Sequence, residues 1–124
     1  MARVLIVDDD PDVVRTFAHM LRLEGYEVST ALDGEAALRE VETSRPDAVL
    51  LDLRMPLTDG LTFLRRLRAQ EGQRHTPVAI VTADYSVDET TTNQLRALEA
   101  VLHFKPLWLE DLVDITRRLI RRTT

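Results

Sequence analysis

The chain contains no cysteine among its 124 residues, which excludes disulfides and thiolate-held metals while leaving the compartment open. It also lacks any excess of basic residues: 16 Lys and Arg stand against 21 Asp and Glu, for a formal charge of −5. That balance is not the footprint of a nucleic-acid binder, and no direct nucleic-acid partner is expected. Long hydrophobic runs are missing too. Val4-Leu5-Ile6-Val7, which opens the chain, is too short for a signal-peptide core or a membrane span, so a cytoplasmic protein with no membrane partner is the expectation. Repeats, low-complexity tracts and linkers are absent. His19, His75 and His103 show no ligand spacing and are assigned no metal. With 44% hydrophobic content the chain can bury a real core, and a single domain over 1–124 is expected, with no room for a second after Arg121-Arg122-Thr123-Thr124.

What is present is a set of four short apolar runs, each ending in a residue able to handle a metal or a phosphate. Val4 to Val7 runs into Asp8 and Asp9, Val49-Leu50-Leu51 into Asp52, Val78 to Val81 into Thr82, and Val101-Leu102-His103-Phe104 into Lys105. An open parallel sheet binds ligands just beyond the carboxyl ends of its strands. As neighbouring parallel strands, these runs would bring three carboxylates, a hydroxyl and an ammonium to one spot.

The intervening segments are long enough to cross over as helices and carry helical spacing of apolar residues. Val14, Phe17 and Leu21 share a face, as do Leu61, Leu64 and Leu67, and then Leu109, Leu112, Thr116 and Leu119. Asp10 before Pro11 predicts an N-cap, Gly25 a helix end, Asp33 a second cap, and Pro46 the boundary after that helix. The order is strand then helix, five times, and unalternating apolar strands suit a sheet covered on both faces. Val28 to Ala31 is the most polar strand candidate and the expected edge, and Asp59-Gly60 reads as a turn before the next helix whose glycine tolerates a positive φ.

Asp8, Asp9 and Asp52 held together would repel by roughly 4 kcal/mol per pair at about 4 Å and an effective dielectric near 20. Such a cluster needs a cation, and carboxylate oxygens without His or Cys favour Mg²⁺. A carboxylate flanked by a divalent cation, an ammonium and a hydroxyl suits a nucleophile in phosphoryl transfer, where catalysis is mainly positioning and charge neutralisation.

These residues, taken together, resemble the receiver domains of two-component response regulators over essentially the whole chain. The resemblance rests on Asp8-Asp9, on Asp52 within Leu50-Leu51-Asp52-Leu53-Arg54-Met55-Pro56, on Asp59-Gly60, on Thr82-Ala83 and on Lys105-Pro106, in family order and near family spacing. It implies an α/β flavodoxin-like (βα)5 doubly wound sheet of strand order 2-1-3-4-5. Asp52 would accept a phosphoryl group from a sensor histidine kinase, a histidine phosphotransfer protein or a small phosphodonor. Asp9, Asp52 and the Arg54 backbone carbonyl would ligate Mg²⁺, with Asp8 acting mostly through water. Lys105, Thr82 and the Ala83 backbone N–H would bind the phosphoryl oxygens, and the Lys105-Pro106 bond would be cis. The switched surface would be the fourth helix, fifth strand and fifth helix. Such a domain is a signalling element that catalyses only its own phosphorylation and dephosphorylation.

Two positions depart from the family pattern. Leu102 stands where receivers commonly carry a Tyr or Phe that swings inward, and Leu98-Glu99-Ala100 replaces the usual small Gly-Ala pair. The interval from Thr82 to Lys105 is also about one residue longer than usual for the family. Thr90-Thr91-Thr92-Asn93 are poor helix formers, which predicts a fourth helix of low local stability. Arg54 and Asp84 are expected to pair at the mouth of the site and to modulate hydrolysis. Val13, Thr16 and Met20 are read as an outward stripe for a kinase, Trp108 as part of that surface or a cap on the core, and Arg117, Arg118, Arg121 and Arg122 as candidates for a phosphorylation-dependent homodimer face. Competing readings are a fragment of a longer regulator, an aspartate-nucleophile phosphatase, a flavin carrier and a degenerate scaffold. The phosphatase would need further elements to enclose a substrate, and Asp8-Asp9-Asp10 would repel a flavin's phosphate.

Overall fold

In the structure, a computed structural model, residues 2–55 and 58–121 are described. Pro56 and Arg122, both named above, lie outside the described residues. Strands β1 (Arg3–Val7), β2 (Glu27–Ala31), β3 (Ala48–Leu51), β4 (Val78–Thr82) and β5 (Ala100–Phe104) alternate with helices α1 (Pro11–Leu23), α2 (Gly34–Ser44), α3 (Gly60–Ala69), α4 (Glu89–Ala97) and α5 (Leu109–Arg121). The sheet order is β2-β1-β3-β4-β5 and every pairing is parallel. Strand order reverses between β1 and β3, and a crevice opens there beyond the carboxyl ends.

Aspartates start the first four helices. The carboxylates of Asp10, Asp33, Asp59 and Asp88 accept from the backbone N–H of Asp12, Ala36, Thr62 and Thr91, satisfying donors that would otherwise be orphaned. At α5 the roles shift inward, with Asp111 accepting from the Trp108 N–H at 3.1 Å. Alternate strand residues feed two cores. Leu5, Val7, Val49, Leu51, Val78 and Ile80 pack under α2, α3 and α4, whereas Val4, Ile6, Leu50 and Val81 pack under α1 and α5.

Several expectations are corrected. Gly60 does not take a positive φ; it is the first residue of α3, and a Cβ there would lie 2.6 Å from the Asp52 carbonyl oxygen and 2.8 Å from the Leu53 Cα. Its smallness lets α3 dock on the Asp52–Leu53 backbone, with the Gly60 N–H donating to the Leu53 carbonyl at 2.9 Å. Leu109 is 43% exposed at the start of α5, not part of its inward face. Val13 and Met20 are half-buried against the second core, so of the supposed outward stripe only Thr16 is exposed. Trp108 is 74% exposed and caps no core. β5 is a second edge and leaves Val101 and Phe104 open. Arg117 and Arg118, read above as candidates for a dimer face, also make exposed ion pairs within the chain, to Glu24 at 3.6 Å and to Asp114 at 2.7 Å.

Arg68 was not singled out from the sequence. Its guanidinium runs inward from α3, donating to the Leu98 carbonyl at 2.9 Å and to those of Gln73 and Thr76 at 3.0 and 2.6 Å. It thereby ties α3 to the turn after α4. No helix among the described residues is long and apolar enough to cross a membrane.

Candidate functional site

Backbone bonds extend the parallel ladder one residue past the strands and thereby fix the groups at their ends. The Asp8 N–H donates to the Ala31 carbonyl at 3.2 Å, the Asp52 N–H to that of Val7 at 2.9 Å, and the Lys105 N–H to that of Thr82 at 2.8 Å. Asp8 and Asp52 are consequently buried, and Asp9, turned outward, is exposed. One carboxylate oxygen from each of Asp8, Asp9 and Asp52 lies within 4.8 Å of the others. Lys105 spans the mouth from β5, its Nζ 2.5 Å from Asp8 Oδ2 and 3.9 Å from Asp52 Oδ2. The sequence placed these four residues together, and in the structure they meet.

Charge in this crevice is unbalanced, since one ammonium faces three carboxylates. Burial pushes the Asp52 carboxyl upward from its ordinary value, and Asp8 adds to the shift. Lys105, the Arg54 N–H and the Thr82 hydroxyl oppose it without cancelling it. A small hard cation fits this donor set, because among the described residues it offers carboxylate oxygens and leaves an excess of negative charge. Both Asp8 oxygens are engaged, Oδ1 by the Asp10 N–H at 3.0 Å and Oδ2 by Lys105.

The rim is built on the segment after β4. Thr82 is buried, and its hydroxyl accepts from the Asp84 N–H at 3.1 Å. Ala83 follows, exposed. Arg54 Nε lies 2.5 Å from Asp84 Oδ2, the pairing expected from the sequence. Bonds from Ser86, and then from Arg54, hold the Asp84 carboxyl at about 2. Leu102, half-buried, packs on the first core opposite Ile80. The Lys105-Pro106 bond is cis. Tyr85, overlooked in the sequence, donates its hydroxyl to the Lys105 carbonyl and stacks its ring on Phe104 at 5.2 Å. An aromatic residue inside a polar run one step past Asp84 was the available signal.

Comparison with known proteins points the same way. Transcriptional regulatory protein PrrA of Mycobacterium leprae is 42% identical over 120 residues, which cover 97% of this chain and 50% of that protein. Response regulator MprA of Mycolicibacterium vanbaalenii is 40% identical over 122 residues, covering 98% and 52%. The chain thus spans about half the length of these curated relatives. Among solved structures, chemotaxis protein CheY4 of Vibrio cholerae superposes with a TM-score of 0.89 at 32% identity, over 96% of this chain and 98% of that one. The response regulator receiver domain model matches residues 4–117, a span that holds every strand end described above, and the chain belongs to that family.

Proposed function

We propose that residues 1–124 form one phosphoacceptor unit in which Asp52 takes a phosphoryl group from the phosphohistidine of a sensor histidine kinase or histidine phosphotransfer protein. The observation that carries this reading is the meeting of Asp8, Asp9, Asp52 and Lys105 from three different strand ends. An Asp52 oxygen attacks phosphorus as the phosphorus–nitrogen bond breaks, and the departing imidazole retains a proton. The product is an acyl phosphate on Asp52. Lys105, released from sharing its charge between Asp8 and Asp52, contacts one phosphoryl oxygen, while the Thr82 hydroxyl and the Ala83 N–H take the others.

Asp9, Asp52 and the Arg54 backbone carbonyl would hold Mg²⁺, and Asp8, with both oxygens engaged, would act through water. When bound, the ion supplies neutralisation of charge on the phosphoryl oxygens. The Arg54–Asp84 pair gates water at the mouth and so sets the lifetime of the acyl phosphate. As an exposed pair it contributes only about 0–1 kcal/mol to folding. The unit works in the cytoplasm, catalyses only its own phosphorylation and dephosphorylation, and passes the change to α4, β5 and α5. In a longer regulator that surface would act on an effector domain, a reading favoured by the greater length of PrrA and MprA.

Incubation with phosphoramidate and Mg²⁺ tests the proposal. The chain should gain one acid-stable, base-labile phosphoryl group by intact mass, and Asp52→Asn should gain none. Continuous release of phosphate would favour a phosphatase, and an unchanged mass a scaffold.

A further inference from the structure

The backbone of Lys105 is held on both sides by the segment that follows β4. Its N–H donates to the Thr82 carbonyl at 2.8 Å, and its carbonyl accepts from the Tyr85 hydroxyl. The ammonium of the same residue bridges toward Asp8 and Asp52. Tyr85 therefore touches the site at one remove, through the residue that carries its positive charge. The ring of Tyr85 faces outward, 67% exposed, and lies nearly parallel to Phe104 on edge strand β5, with 17° between the planes. One neighbour connects Tyr85 to the rim through two bonds: Asp84 binds Arg54 through its carboxylate and Thr82 through its N–H. On β5 itself, Leu102 offers neither a hydroxyl nor a flat ring.

We propose that Tyr85 is a positioning residue for Lys105 and that its stack with Phe104 couples the state of the Asp52 site to the exposed β5 edge. The proposal rests on Asp52 being the acceptor. When the ammonium turns from Asp8 toward a phosphoryl group, the Lys105 peptide and the segment from Thr82 to Tyr85 move as one tethered unit. The Tyr85 ring, fastened to that unit, changes its overlap with Phe104 and so alters the apolar face that Val101 and Phe104 present.

The test uses the full chain, phosphoramidate and Mg²⁺, with variants Tyr85→Phe and Phe104→Leu. Tyr85→Phe keeps the ring and deletes the hydroxyl, and Phe104→Leu removes the stack while leaving the hydroxyl. Labelling with fluorotyrosine gives fluorine NMR signals from the two tyrosines, Tyr26 and Tyr85, the second identified by its loss in Tyr85→Phe. On phosphorylation the Tyr85 signal should move and the Tyr26 signal should stay. The saturating phosphorylation rate of Tyr85→Phe should fall on the order of fivefold at an unchanged half-saturating donor concentration, because the ammonium is misplaced rather than lost. Phe104→Leu should be phosphorylated within about twofold of the parent rate while the movement of the Tyr85 signal shrinks by about half or more. An unmoved Tyr85 signal, a parental rate in Tyr85→Phe, or an undiminished movement in Phe104→Leu overturns the coupling and leaves the role of Asp52 standing. A parent chain that gains no phosphoryl group overturns the acceptor assignment and the coupling with it.

Discussion

The middle of the sheet and its β5 flank are built to different standards of packing. β1, β3 and β4 are buried along nearly their whole length, and α3 presses Gly60, Phe63, Leu64 and Leu67 onto them. On the flank, α4 buries only Leu95 among the described residues, and β5 leaves Val101 and Phe104 open. The carboxylates hang from the tightly packed half, where ladder bonds fix them. Lys105, Tyr85 and the rim belong to the loosely packed half. A site that straddles the two can hold its acceptor still while its ammonium and the outer rim shift, as local stability differences permit.

The largest expected effect comes from breaking the tight half. Gly60→Ala would force a methyl group against backbone atoms of Asp52 and Leu53 that have no freedom to yield, at a cost of about 3 kcal/mol or more. Urea unfolding should show the loss as a lowered midpoint. Next, Arg68→Met leaves the carbonyls of Leu98, Gln73 and Thr76 without their shared donor, for a loss of about 2 kcal/mol. Amide exchange should show the flank, α4 and its following turn, loosening before the β1–β3 centre. Glu99→Gly should act in the opposite direction. Glu99 holds a φ of 61°, a left-handed conformation that costs most side chains about 1 kcal/mol, and glycine removes that cost at the expense of the contacts its carboxylate makes, an exposed one to His75 among them. The expected outcome is a small rise in melting temperature with an unchanged phosphorylation rate.

The smallest effect is a pH dependence confined to the rim. The folded-state pKa of Asp84 lies at about 2, below its ordinary 3.8, so its contribution is present above the ordinary value and is lost as pH falls through the folded one. Asp84→Asn should therefore lose less stability than the parent when acidified from about pH 5 toward about pH 2, as read from denaturation midpoints.

Much of this was legible because it is local. Apolar runs ending at Asp8, Asp52, Thr82 and Lys105 announce strand ends, and Asp10-Pro11 and Asp33 announce helix starts without any tertiary knowledge. What escaped depends on neighbours far along the chain. The closeness of Gly60 to the Asp52 carbonyl follows from how α3 docks, and no local signal separates that from a turn glycine. Val13 and Met20 fall where a helical wheel points outward, yet the second core extends far enough to half-cover them. Leu109 shares the spacing of Leu112 and Leu119 but sits beyond the sheet's cover. Arg68 and Tyr85 act through carbonyls of residues 30 and 20 positions away, which sequence spacing cannot reveal.

Borohydride trapping after phosphorylation addresses the central assignment most directly, since reduction of an aspartyl phosphate leaves homoserine at the acceptor and peptide mass spectrometry then locates it. Homoserine is expected at position 52 and at no other aspartate. Trapping at Asp8 or Asp9, or no trapping in a chain that has gained phosphate, would contradict it.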